Sequence, residues 1–273
     1  MKKAPALLAP LLVAGGAVAG YPALRHLLAE RDYRAQVRAA AGRGEFGLIA
    51  DIWERHRGRL GEPWTDCVPP RGGLRADDPE LLLSTRAYAR VLTVLEPSGL
   101  LPTGRPTFRW LAPPGERRYQ VTVMSRTVHG PVLDRETTAT ELPFPPEVAA
   151  LQPGFEYLVT VRDLENVLTP GNAGIKIAWA DKAKGTDEAL RLLQERLGEG
   201  PAFEFFAGNL LLRPRDDARS FPCAAAKHFE ALVQRFPNSR LLHELLARIY
   251  ARLAVGPLVQ RELEALRRID AGG

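Results

Sequence analysis

The chain has 273 residues, a hydrophobic content of 45% and a formal net charge of +5, with 37 Lys+Arg set against 32 Asp+Glu. That apolar content is enough for one or two packed domains and excludes a wholly disordered chain, and a single stretch of membrane-spanning length excludes a polytopic channel or transporter. Acids and bases are interleaved along most of the chain without a basic-aromatic strip, so no nucleic acid partner is expected.

Met1-Lys2-Lys3 opens the chain, and no further charge follows before Arg25. Residues 1–24 therefore read either as an export signal, cleaved after Ala19 in the small-residue run Ala17-Val18-Ala19, or as a single-pass anchor that meets the membrane through residues 4–24. Either way the bulk of the chain is expected outside the cytoplasm: periplasmic or secreted if cleaved, otherwise on the outer side of a bacterial inner membrane. Arg25, Arg31, Arg34 and Arg38 would, by the positive-inside rule, argue for the opposite orientation.

Residues 25–98 form a helical juxtamembrane region with a Gly/Pro-rich loop. Phe46, Ile49, Ile52 and Trp53 are spaced for one face of a helix over Glu45 to Arg57. The following loop, through Trp64 and Cys67, has no periodicity, so Trp64 has to find its burial in tertiary contacts. Asp78-Pro79 starts a second helix, whose inner face is Leu81, Leu82, Thr85, Tyr88, Leu92 and Leu95 and which Glu96-Pro97-Ser98-Gly99 stops.

Past Gly99 the apolar period changes from 3.6 to 2. Strands are predicted at Pro106–Trp110, Tyr119–Met124, Leu142–Pro146 (an edge, because of its prolines), Tyr157–Arg162 and Ile175–Trp179. Short strands without intervening helices make a two-sheet sandwich over residues 99–181. Trp110 with Pro113-Pro114, then Tyr119-Gln120-Val121, then Leu151-Gln152-Pro153-Gly154-Phe155-Glu156-Tyr157 resembles the fibronectin type III module. The resemblance implies that Trp110 fills the core, that the Tyr157 hydroxyl bonds to nearby backbone and that Leu151 packs beneath it.

Residues 186–270 return to helical spacing: Leu190, Leu193 and Leu197; Phe203, Phe206, Leu210 and Leu211; Ala225, Phe229 and Leu232; Leu242, Leu246, Ile249, Tyr250 and Leu253; and a last helix over Leu258 to Ile269. The run Ala225, Phe229, Leu232, Pro237 and then Leu246, Ala247, Tyr250 resembles tetratricopeptide repeats, with an ordinary pair of helical hairpins as the alternative. A small sandwich followed by such helices is similar to a class of bacterial envelope proteins, some of them linked to sigma-factor regulation.

The chemistry-bearing residues form no motif. His26, His56, His129, His228 and His243 lack metal-ligand spacing and read as surface or capping residues; Cys67 and Cys223 are too isolated for a zinc site, though they could pair in an oxidising compartment. There is no nucleophile elbow, phosphate loop or dinucleotide fingerprint. No catalytic, cofactor or metal residue is assigned and no cofactor is expected. The fold class expected is a multi-domain α+β chain: N-terminal membrane helix, small helical region, fibronectin type III-like sandwich, then tetratricopeptide-like hairpins. The function expected is non-enzymatic: a scaffold subunit held at the membrane that binds an unidentified membrane or periplasmic protein, with a regulatory component of envelope-stress signalling as the alternative.

Overall fold

The computed structural model describes residues 17–60, 64, 69, 92–97, 99–112, 117–127, 130–165, 170–212, 221–253 and 255–272, with the side chains of 17–26 and 181–183 set aside. The fold is mixed α+β. Among the described residues there are seven α-helices and two sheets: α1 (Ala17–Gly42), α2 (Phe46–His56), eight strands, then α3 (Ala180–Leu197), α4 (Pro201–Leu212), α5 (Pro222–Arg235), α6 (Arg240–Arg252) and α7 (Gly256–Gly272).

The expected membrane helix is corrected. No helix among the described residues is long and apolar enough to cross a membrane. The part of residues 4–24 that precedes Ala17 lies outside the described residues. From Ala17 the helix runs on through Arg25, Glu30, Arg31, Asp32, Arg34 and Arg38. Its apolar stripe, Tyr33, Val37, Ala40 and Ala41, is fully buried against protein.

The helices before and after the sandwich share one hydrophobic core, in which Tyr33, Phe46, Ile49 and Trp64 sit with Leu193, Phe205, Phe206 and Phe229. The small helical region and the C-terminal hairpins are therefore one helical body, and the sandwich is an insertion between its parts. Trp64 is fully buried, its ring 5.1 Å from Tyr33 and 5.7 Å from Phe206. Phe46 stacks on Phe205 at 5.2 Å. Arg38 donates to the carbonyls of Arg196 (2.7 Å) and Leu197 (3.0 Å), placing a cation on the negative C-terminal end of α3, and Arg196 pairs with Glu30.

The strands are β1 (Thr93–Glu96), β2 (Gly99–Leu101), β3 (Thr107–Leu111), β4 (Tyr119–Ser125), β5 (Pro131–Thr137), β6 (Glu141–Pro143), β7 (Glu156–Asp163) and β8 (Gly171–Ile177). One sheet has the order β1-β3-β6 and the other β2-β8-β7-β4-β5; only the β2–β8 pair is parallel. Period-2 burial sends Phe108 and Trp110 from one sheet, and Val121, Val123, Val159 and Val161 from the other, into a shared core, with Trp110 edge-on to Tyr119 at 5.4 Å. The Tyr157 hydroxyl accepts the Gln152 N–H at 2.9 Å, and Leu151 is buried.

Several predicted elements move. Asp78 to Val91 lies outside the described residues, but the expected end of that helix is strand β1, with Thr93 and Val94 buried and Leu92 in the sandwich core. β5 was not predicted, because Asp134, Arg135 and Glu136 face water on an edge strand and only Leu133 is fully buried, with Val132 half-buried beside it. β6 is an edge strand, as its prolines imply. Trp179 belongs to no strand: it is 56% exposed, at the cap of α3, which starts at Ala180, ahead of the expected return to helix at residue 186. Its ring lies over Gly154 (φ +83°), where a Cβ would come within 2.2 Å of it.

Gly208 marks a close approach of α4 to α5, since a Cβ there would sit 2.7 Å from the buried ring of Phe229. Gly208→Ala is expected to lower stability by about 1–3 kcal/mol through overpacking. Gly47→Ala, in α2 with nothing near its Cβ, is expected to raise it by about 0.5–1 kcal/mol. Thermal unfolding followed by circular dichroism checks both; equal effects of the two substitutions would contradict the packing described.

Candidate functional site

α5 has two working faces. Ala225, Ala226, Phe229 and Leu232 turn into the helical core, while Cys223 and Lys227 meet the sandwich and Glu230 reaches Tyr250 of the next helix. The sandwich meets it with the outer side of its three-stranded sheet. Alternation along β1 and β3 gives Val94 and Trp110 to the sandwich core and leaves Leu95 and Leu111 to pack on the helical core; Leu100 of β2 does the same. Two polar contacts pin the junction: the Cys223 thiol donates to the Leu95 carbonyl at 3.7 Å, and Lys227 pairs with Glu96 at 3.0 Å. Cys67 lies outside the described residues, so the suggested pairing with Cys223 does too.

Beyond this junction a groove of about 480 Å³ opens between β1 and β3 on one side and α5, α6 and α7 on the other. Its apolar lining includes Leu95, Leu111, Val233, Leu246 and Leu258, and Gln234 stands exposed at its mouth.

A connected set of polar side chains runs through the helical wall. The Tyr250 hydroxyl donates to Glu230. Arg261 donates to the Tyr250 oxygen (3.3 Å), places its guanidinium 5.7 Å over the Tyr250 ring and donates through Nε to Glu262 at 2.7 Å. Glu262, 2% exposed, also meets His243 Nδ1 at 2.6 Å, and His243 Nε2 donates to the Pro237 carbonyl at 2.8 Å. The set joins α5, the turn after it, α6 and α7. Nearby, the buried Glu244 pairs with Arg240 at 2.7 Å, and Arg240 reaches Asp270 at 3.3 Å.

The electrostatics follow from these contacts. The Glu262 hydrogen bond raises the His243 pKa above its usual value; burial opposes this, and the Pro237 carbonyl and the Glu262 charge add to it. A carbonyl only accepts, so Nε2 must carry a proton, and a second proton on Nδ1 makes the contact to the carboxylate charge-assisted. Burial first, then the Glu230 bond and charge, push the Tyr250 phenol well above the usual tyrosine range. Tyr250 thus stays neutral and acts as a hydrogen-bond donor.

No site residue was assigned from sequence, and of the five histidines only three have described side chains. His228 lies half-buried beside Glu204 at 2.6 Å. His56 is half-buried beside Gln36 at 3.3 Å, its pKa lowered chiefly by burial. His243 departs from the surface or capping role expected, being only 5% exposed. A signal for it existed: the inward stripe of Leu246 and Tyr250 extends back by a helical turn to His243, at i, i+3 and i+7. Among the described residues, no group of three or more His, Cys, Asp or Glu is placed to hold a metal. No family model matches the chain, and the search of curated proteins returns no similar sequence.

The His243–Glu262 contact has a definite pH signature. Because the folded pKa is raised, its stabilisation is complete below the unfolded value of about 6.5 and is lost as pH rises through the folded value. Glu262, Arg261 and Tyr250 face His243 from α6 and α7, and over this window Arg261 stays charged and Tyr250 neutral. His243→Gln should cost about 1.5–3 kcal/mol below that pH, and its melting-temperature deficit relative to wild type should shrink toward alkaline pH. A deficit that stays constant or grows with pH would contradict the assignment.

Proposed function

We propose that this protein is a non-enzymatic interaction protein whose groove receives a segment of a partner protein. The observation that carries the reading is the groove, walled jointly by the inserted sandwich and the last three helices. A surface of apolar floor and polar rim built from two modules is the usual form of a recognition cleft. The polar groups in its wall support binding over chemistry: Tyr250, Arg261, Glu262 and His243 are each engaged with one another or with backbone. The binding modules proposed are a fibronectin type III-like sandwich and tetratricopeptide-like hairpins. The strand order and the Tyr157–Gln152 bond support the first, and the antiparallel succession α5–α6–α7 supports the second.

We also propose export from the cytoplasm, on the strength of Lys2-Lys3, the apolar run after it and the small residues Ala17-Val18-Ala19. Cleavage after Ala19 would leave almost all of α1 in place.

Site-specific photo-crosslinking in the native cell tests the reading. A benzophenone side chain at Gln234, at the mouth of the groove, is expected to give a protein adduct that the same group at Glu136, on edge strand β5, does not. Excess wild-type chain should compete that adduct away and a Gln234→Trp chain should not. No adduct at Gln234, or equal competition by both chains, would overturn the proposal.

A further inference from the structure

We propose that the segment received by the groove is acidic as well as apolar, its carboxylates meeting the arginines at the groove's rim. This rests on the reading above and adds the chemistry of the occupant.

The charged groups of the groove are unevenly committed. The three carboxylates lining the groove are already used: Glu262 is buried under His243 and Arg261, Glu230 accepts the hydrogen bond of the Tyr250 hydroxyl, and Glu96 pairs with Lys227 at 3.0 Å. The cations are less fully engaged. Arg268 lines the groove, is exposed, and makes no ion pair or hydrogen bond among the described residues. Arg261, its side chain 55% exposed, spends Nε and Nη2 on Glu262 and Tyr250 and keeps Nη1. Arg109, 49% exposed, approaches Glu96 and Glu141 only at 3.9 and 3.5 Å, beyond good hydrogen-bond length.

The rim thus carries positive charge with spare planar donors above a floor that is mostly apolar. Residues 221–272 have the same bias, with eight Lys/Arg against five Asp/Glu. Guanidinium forks match carboxylates in geometry, and a basic or neutral segment would leave them repelled or desolvated without a partner. An acidic segment with apolar side chains at intervals satisfies both rim and floor.

The test uses the full chain and three fluorescein-labelled synthetic peptides, in which leucines are interspersed with glutamate, glutamine or lysine, followed by fluorescence anisotropy. The glutamate peptide is expected to bind about tenfold more tightly than the glutamine peptide, and the lysine peptide more weakly than either. Arg268→Glu and Arg109→Glu should each weaken the glutamate peptide by about 3- to 10-fold, and added salt should weaken it further. Gln234→Trp, an exposed position that leaves the core untouched, should abolish binding with an unchanged circular dichroism melt. Equal affinity for all three peptides, or no binding of the glutamate peptide, overturns the proposal. Displacement of the glutamate peptide by dodecanoate at lower concentration than by unlabelled peptide overturns it in favour of a fatty-acid site. If the glutamine peptide binds as tightly as the glutamate one and Gln234→Trp still abolishes it, the acidic preference falls while the groove reading stands. Loss of both the peptides and the Gln234 crosslink removes that reading as well.

Discussion

Helix α4 is apolar almost all round, with Glu204 its single charged residue, and a helix of that kind cannot turn its bulk to water. Ala202, Phe205, Phe206, Leu210 and Leu211 are buried, and so are Ala207, Gly208 and Asn209, while Glu204 is half-buried beside His228; Asn209 satisfies its side chain on the Phe205 carbonyl at 2.7 Å. Such a helix needs neighbours all round it. α5 supplies one side through Phe229 against Gly208, while α1, α2 and Trp64 supply another through Tyr33, Phe46 and the Trp64 ring. Without residues from both ends of the chain, this core is open. That requirement explains why helices separated by the whole sandwich belong to one body.

An insertion must leave the helical body and return to it, and the sandwich does so on one side. The parallel pairing of β2 with β8 places the second and last strands next to each other, and the Ala178 amide donates to the Leu101 carbonyl at 2.8 Å just before α3 begins. Leu95, Leu100 and Leu111 then bury against the helices, and Lys227 and Cys223 fix the angle of approach. The sandwich rests chiefly on α5. α6 and α7 continue beyond it, and the space they share with β1 and β3 is the groove. The cleft is therefore a product of how the insertion docks, and neither module contains it alone.

Much of this was legible in the sequence, for reasons that can be named. Strands with one wet face, such as β4 and β7, show clean alternation, and α6 shows a clean apolar stripe, so both are read from period alone. β1 was hidden because its alternation is broken: Leu92, Thr93 and Val94 are all buried, Leu95 serves the other core, and a register shift falls between Val94 and Glu96. β5 was hidden because an edge strand protects itself with charge. The shared helical core could not be read at all, since periodicity says that Phe46 and Phe206 point inward and says nothing of whether they belong to the same core. The apolar start of the chain invited a membrane reading that the charged continuation of α1 and its buried stripe do not support.

The polar chain from Glu230 to Pro237 has to be understood against its cost. Burying Glu262 beside His243 is weak support for stability, because removing both groups from water offsets most of the attraction they gain. Leucines in their place would hold α6 to α7 as well. What they would not do is set direction: apolar contact tolerates sliding, whereas a bond of 2.6 Å to Nδ1 and one of 2.8 Å from Nε2 fix the imidazole between α7 and the turn after α5. Arg261 is then placed by Glu262 and by the Tyr250 ring, so its guanidinium is held in position where the side chain lines the groove. The position of a rim cation is in this way set by the buried acid behind it, and the groove's electrostatic character follows from the same contacts that fix its wall.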